Sequence, residues 1–140
     1  MKKISWLLML VGILLIGCTD EKGSNWVVSP AFTVDNKTFH GVEGKFGLIK
    51  ANGEEDEPVF PAGQGRLYDL YFLESDDHFE GSRYKVTAAH KDTGKSLELT
   101  EWDIGSGQSG AKFGFEESGI WKIEVAVDDK PYTSFVVEAK

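Results

Sequence analysis

The sequence contains very little sulfur. Cys18 is its only cysteine, and Met1 and Met9 are its only methionines. A chain with one cysteine cannot form an internal disulfide, so its fold must be stabilised by ordinary packing. Copper sites that combine Met with His are disfavoured as well, because both methionines lie within the first nine residues. The sequence predicts no cofactor.

The sequence also lacks an excess of basic charge and a long apolar run. Its 15 basic side chains are outnumbered by 23 acidic ones, which gives a net charge of −8. Such a chain is repelled by the phosphates of nucleic acids, so no nucleic-acid partner is predicted. The main apolar stretch, Ile4–Ile16, is shorter than the roughly twenty residues that a membrane-spanning helix needs.

The first eighteen residues have the layout of a lipoprotein signal peptide. Lys2 and Lys3 precede the apolar stretch, and Leu15-Ile16-Gly17-Cys18 closes it. This ending resembles the lipobox, in which the cysteine sulfur receives a diacylglycerol before the chain is cut in front of it. Two acyl chains anchor a protein stably, whereas one is marginal. The sequence therefore predicts a signal peptide at residues 1–17 and a lipidated Cys18 that holds the protein on the extracytoplasmic face of the cell membrane.

The mature chain has the length of a single domain. Removal of residues 1–17 leaves 123 residues with a net charge of −10, which is enough chain for one hydrophobic core. Residues 18–30 are predicted to be the lipidated cysteine and a polar spacer, and residues 31–140 to be the domain. Trp26-Val27-Val28 is the apolar part of the spacer. We expect a short first strand there, with an aromatic foot near the lipid head groups as the alternative.

From residue 31 onward the pattern is one of short strands and turns. Residues 121–128 alternate between apolar and mostly charged side chains, which is the period of a strand with one buried face. A turn at 128–130 leads to a returning strand over Tyr132–Ala139. Arg66–Leu73 is largely apolar on both faces, as expected for a central strand. Eight or nine such strands predict an all-β fold, an immunoglobulin-like antiparallel β-sandwich.

Several structural motifs carry a resemblance to a known family. The chain resembles small lipoproteins of spore-forming Gram-positive bacteria, which have an immunoglobulin-like domain of unknown function. The motifs are Ala31-Phe32-Thr33-Val34, Gly44-Lys45-Phe46-Gly47, Phe60-Pro61-Ala62-Gly63, Ala89-His90-Lys91 with Thr93-Gly94, and Gly119-Ile120-Trp121-Lys122-Ile123.

Two stretches depart from the pattern of that family. Tyr71 and Phe72 stand where tryptophans are usual, and Ala111 is followed by Lys112 rather than by a histidine. The resemblance implies the fold and an extracytoplasmic location, and it implies no activity.

No catalytic constellation is present in the sequence. Residues 105–110 (GSGQSG) spell the dinucleotide fingerprint G-x-G-x-x-G, but that fingerprint needs a strand before it and a helix after it. Here Ala111–Phe115 has the pattern of a strand. The nucleophile elbow G-x-S-x-G fails at Ala111. We therefore expect a loop that joins two strands, no catalytic residues and no enzymatic activity.

The candidate metal ligands are scattered. His40, His78 and His90 have no neighbours at ligand spacing, so each is expected to be an ordinary strand or loop residue. Glu54–Glu57 and Asp76-Asp77 are the best candidates for calcium ligands, but neither contains the D-x-D-x-D-G pattern of a calcium loop. The prediction is solvated acidic loops and no metal site.

Trp102 is the residue we select as a possible ligand contact. It lies between Glu101 and Asp103, beside the Gly-rich loop. Packing at the edge of the core is favoured for it over a ligand platform. The function predicted from the sequence is a non-enzymatic binding module for a cell-envelope protein or glycan. The alternative is a small-ligand or metal-binding lipoprotein that uses the histidines or the acidic loops, and an enzyme is the third class.

Overall fold

A computed structural model describes residues 26–74 and 79–140. Residues 1–17, Cys18, Asp76-Asp77 and His78 lie outside the described residues. Within the described ranges the protein is nearly all β and has nine strands. They are β1 (Phe32–Val34), β2 (Lys37–Val42), β3 (Phe46–Lys50), β4 (Arg66–Phe72), β5 (Arg83–His90), β6 (Ser96–Asp103), β7 (Gln108–Phe113), β8 (Gly119–Val127) and β9 (Lys130–Ala139).

The strands form two antiparallel sheets that pack face to face. One sheet has the order β1-β2-β3-β4-β7 and the other has the order β6-β5-β8-β9. The neighbours β3-β4-β7 and β6-β5-β8-β9 match strands A-B-E and C′-C-F-G of the immunoglobulin fold. β1 and β2 extend the first sheet beyond strand A. The predicted immunoglobulin-like sandwich is confirmed.

The core lies between the inner faces of the two sheets. Trp121, Ile123 and Val125 of β8 are at most 1% exposed, so the alternation predicted for this strand is confirmed. β4 pairs with β3 on one side and β7 on the other, which confirms its predicted central position. The hydroxyls of Tyr84 and Ser109 share a hydrogen bond of 2.8 Å between the sheets. This bond satisfies the polar end of a tyrosine that is otherwise fully buried.

Two hairpins have tight turns whose central residues have positive φ. Asp35 and Asn36 (φ 52° and 68°) join β1 to β2, and Asp128 and Asp129 (φ 50° and 66°) join β8 to β9. Two consecutive residues of this kind make a type I′ turn, whose twist matches that of the flanking strands. Asn and Asp tolerate this conformation better than most residues, which explains both turns, including the one predicted at 128–130.

Residues 26–31 cross from the four-stranded sheet to β1. The Trp26 ring lies 5.0 Å from the Nζ of Lys122, a residue on the outer face of β8. Further along, the N–H of Ser29 donates to the carbonyl of Val136 at 2.9 Å, and the N–H of Val136 donates to Ser29 Oγ at 3.0 Å. Val136 is on the outer side of the edge strand β9, yet it is only 5% exposed because this segment covers it.

The strand expected at Trp26-Val27-Val28 is therefore wrong. These three residues belong to no strand, and Val27 lies in a bend. The chain passes over the edge of β9 and does not run along it, and Pro30 has no N–H to extend a ladder. Ser29 alone makes a backbone hydrogen bond to β9 within this segment.

Candidate functional site

Trp102 lies near the end of β6, which is an edge strand of the four-stranded sheet. It pairs with Tyr84 of β5, and its side chain is 62% exposed. The packing at the core edge that the sequence favoured is therefore wrong. Among the described strands none lies beyond β6, and a register shift between Val86 and Thr87 interrupts the pairing of β5 with β6.

Charged residues are the neighbours of this tryptophan along β6 and of Tyr84 along β5. The guanidinium of Arg83 contacts Glu101 at 3.5 Å and Asp103 at 3.2 Å. Such exposed ion pairs add little stability, but they connect β5 with the two residues that flank Trp102 in β6. The N–H of Arg83 donates to Asp128 at 3.0 Å, and this bond lowers the pKa of the Asp128 carboxyl. We call Trp102, Arg83, Glu101 and Asp103 the Trp102 surface.

The Gly-rich motif next to this surface is a tight turn. Gly105 and Gln108 exchange backbone hydrogen bonds of 3.2 and 3.0 Å, and Ser106 and Gly107 between them have φ of 52° and 76°. The motif then continues into β7 and not into a helix. Without a helix N-terminus there is no place for a pyrophosphate, so the expectation that these residues join two strands is confirmed.

His90 has a structural role in the turn between β5 and β6. Its Nδ1 accepts hydrogen bonds from the N–H groups of Asp92 at 3.1 Å and Thr93 at 3.2 Å. Its Nε2 lies 2.9 Å from the carbonyl oxygen of Ser118, to which it donates. The ring also packs edge-on against Trp121. Because both nitrogens are used within the protein, neither is available to a metal ion.

His40 is placed differently, in a cleft between β2 and β9. The cleft has a volume of about 400 Å³, and Val28, Phe60 and Val136 form its apolar walls. Burial lowers the pKa of His40. Its ring packs edge-on against Phe60, and among the described residues it has no hydrogen-bond partner. Asp56 also lines the cleft.

In the acidic run Glu54–Glu57, the carboxylate of Glu57 is already paired with cations of the protein. Glu57 accepts hydrogen bonds from Arg66 through both carboxylate oxygens, each at 2.7 Å, and from Lys50. These two cations lower the pKa of Glu57 to about 2. A carboxylate whose two oxygens already accept hydrogen bonds from two cations of the protein has little capacity left to coordinate calcium. In residues 26–74 and 79–140, no three His, Cys, Asp or Glu side chains converge in a way that could hold a metal ion.

This chain is similar to a solved structure over most of both lengths. It is the crystal structure of a protein from Bacillus anthracis that is described as a candidate lipoprotein. The TM-score is 0.66 at 20% sequence identity, covering 83% of this chain and 87% of that chain. No family model and no curated protein matches the chain. At this identity the likeness shows the shared fold.

In the part of the chain that the structure describes, no helix is long and apolar enough to cross a membrane.

Proposed function

We propose that this chain is a lipid-anchored extracytoplasmic lipoprotein. In this proposal its immunoglobulin-like domain is a non-enzymatic module that binds a cell-envelope protein or glycan through the Trp102 surface. The single observation that carries the binding role is the exposure of the Trp102 side chain, 62% of which contacts solvent. Tryptophan is the residue most enriched among the few that dominate binding energies, because it buries a large rigid area when a partner covers it.

The surroundings of Trp102 support this role. The indole is carried by a strand of the sandwich, whose ladder holds its backbone in place. Its neighbours in β6, Glu101 and Asp103, have carboxylates that are partly and largely exposed, and they accept hydrogen bonds. A partner that fits has an apolar or ring face bordered by hydroxyl, amide or cationic donors, and both glycans and basic protein patches have this chemistry.

Two observations support the lipid anchor. Cys18 stands at the end of a lipobox-like sequence and is the only cysteine in the chain. The similar Bacillus anthracis structure is described as a candidate lipoprotein. Together with the resemblance to small lipoproteins of spore-forming Gram-positive bacteria, these features favour membership of that family and a place on the outer side of the cell membrane.

The test is an affinity capture from the cell envelope with the intact lipoprotein as bait. The baits are the unchanged chain, Trp102→Ala, and Leu67→Ala as a control that removes another exposed apolar side chain on β4. Captured material is divided, and one half is treated with protease and the other with a wall-glycan hydrolase, which identifies the partner class. We expect the partner to be lost with Trp102→Ala alone. Equal capture by all three baits would contradict a role for Trp102.

A second candidate function rests on His40. A half-buried imidazole without a hydrogen-bond partner among the described residues, facing a cleft of about 400 Å³, is suited to bind a small polar ligand. A thermal-shift panel of calcium, zinc, copper and small glycans tests this alternative. An increase in Tm that His40→Ala abolishes and Trp102→Ala leaves intact would favour it over the Trp102 surface.

A further inference from the structure

Two exposed valines and a half-buried tryptophan lie next to one another where the described chain begins. Val27 is 76% exposed, Val28 is 43% exposed and Trp26 is half-buried. Two of the five large exposed hydrophobic side chains in the described residues are thus consecutive. The backbone here is held on the sandwich, because Ser29 is hydrogen-bonded to Val136 and the Trp26 ring lies over Lys122. The apolar side chains are therefore presented to solvent by a fixed backbone.

The position of these residues relative to the proposed anchor points to their partner. Trp26 follows Cys18 by eight residues, and a chain of this length spans at most about 28 Å when fully extended. Once Cys18 is lipidated, Trp26 cannot move farther than this from the membrane surface, and the limit for Val28, two residues later, is about 35 Å. Tryptophan is enriched at the boundary between lipid head groups and acyl chains, where its apolar ring and its polar N–H are both satisfied.

The charge around these residues is compatible with a lipid surface. Lys122 beneath the Trp26 ring is a cation that can pair with lipid phosphates, and the nearest outward carboxylates on the same two strands are Glu124 and Glu138. Asp128 and Asp129 follow Lys122 by six and seven residues. At the rise of a strand, this separation is about 20 Å or slightly more. Nearer to residues 26–28, Asp56, Glu57 and Glu138 line the cleft that Val28 also borders, whereas the charged group over the Trp26 ring is the cation of Lys122.

We infer that Trp26, Val27 and Val28 form a membrane foot, a second contact that inserts into the head-group region of the bilayer beside the lipidated Cys18. This inference rests on the lipid anchor in the proposed function, and it adds an orientation of the domain relative to the membrane. Trp102 pairs with Tyr84, which pairs with Val127 at the end of β8 remote from Lys122. With the foot in the bilayer, the Trp102 surface is directed away from the membrane and toward the cell envelope.

Tryptophan fluorescence of the membrane-bound protein tests the inference. The full chain is expressed in bacteria, purified from membranes and reconstituted into phosphatidylcholine vesicles, with or without bromine atoms on the acyl chains. After signal cleavage three tryptophans remain, and Trp121 is fully buried. Trp102→Phe therefore reports on Trp26, and Trp26→Phe reports on Trp102. We expect brominated lipid to quench the first variant and to leave the second unchanged.

A matched pair of valine substitutions provides the control. Val27→Ser is expected to reduce the quenching of Trp26, whereas Val34→Ser, which changes an exposed valine on β1, is not. Flotation with the vesicles is measured in the same samples. Protein that floats without any quenching of Trp26 would overturn the membrane foot and leave the lipid anchor intact. Protein that does not float at all would overturn both.

Discussion

Ser29 and Val136 close the outer edge of β9 with a reciprocal pair of hydrogen bonds. The N–H of Ser29 donates to the carbonyl of Val136, and the N–H of Val136 donates to the hydroxyl oxygen of Ser29. An uncovered edge strand presents unpaired backbone groups that favour pairing with other chains. The end of the predicted spacer is thereby fixed to the domain, and it protects part of this edge.

Ser29→Ala is the first prediction. The substitution removes the acceptor for the N–H of Val136, a residue that is only 5% exposed. We expect a loss of about 1 kcal/mol in the free energy of unfolding, the usual cost of such a bond. Urea unfolding measures the loss, and amide hydrogen exchange at Val136 should become faster. Ser29→Thr keeps the hydroxyl and should behave as the unchanged protein does; an equal loss in both variants would count against this role.

Glu57 gives a prediction about pH. Arg66 and Lys50 lower its pKa to about 2 in the folded protein, against an ordinary value of 4.5. A carboxyl with a lowered pKa stabilises the fold above its unfolded pKa, and the contribution is lost as pH falls through the folded value. Glu57→Gln should therefore be less stable than the unchanged protein at pH 7, with a difference that shrinks between pH 4.5 and pH 2.

Unfolding of both proteins by urea across this range measures the effect. Glu55→Gln is a suitable control, because the structure gives Glu55 no ion pair among the described residues. A difference between Glu57→Gln and the unchanged protein that stays constant down to pH 2 would contradict the assignment.

His90 is predicted to be structural and indifferent to metals. His90→Ala leaves the N–H groups of Asp92 and Thr93 and the carbonyl of Ser118 without their partners. The expected loss is about 3 kcal/mol in the free energy of unfolding, as for other buried hydrogen-bonding side chains. Zinc and copper should not raise Tm. A zinc-dependent increase that His90→Ala abolishes would instead make this residue a ligand.

Gly47 is predicted to be required by the packing of Phe39. A Cβ at Gly47 would lie 2.7 Å from the Phe39 side chain, which is buried against Phe32 and Tyr71 on the outer face of the sheet. Gly47→Ala should cost about 1–3 kcal/mol because the ring must move. At Gly65 the nearest atom to a new Cβ is 3.7 Å away, so Gly65→Ala should be close to neutral. Thermal unfolding of both variants measures their loss of stability. Similar losses in Gly47→Ala and Gly65→Ala would contradict the packing argument.

The features predicted correctly from the sequence are those that depend on local periodicity. Residues 121–128 alternate because β8 buries one face only, and the turn at Asp128-Asp129 follows from residues that tolerate positive φ. The central place of β4, between β3 and β7, could be predicted because its segment is rich in large apolar side chains, although the structure buries only one of its faces.

The features that the sequence did not predict depend on where each strand lies in its sheet. Nothing in residues 96–103 shows that β6 has no neighbour on its outer side, so the exposure of Trp102 could not be predicted from its own segment. Likewise, Trp26-Val27-Val28 has strand-forming residues but crosses over an edge. The pairing of Glu57 with Arg66 depends on a loop that brings together two residues nine positions apart.

The lipid anchor is the claim on which the proposed function depends, and mass spectrometry of the mature N-terminus tests it most directly. The chain and its Cys18→Ser variant are expressed in a bacterium, the cells are fractionated, and the N-terminal peptide is identified. We predict that the unchanged chain is recovered from membranes and begins at Cys18 with a diacylglycerol on its sulfur, and that the variant lacks this lipid. A chain with a free Cys18 thiol, or one that begins at Met1, would contradict the account.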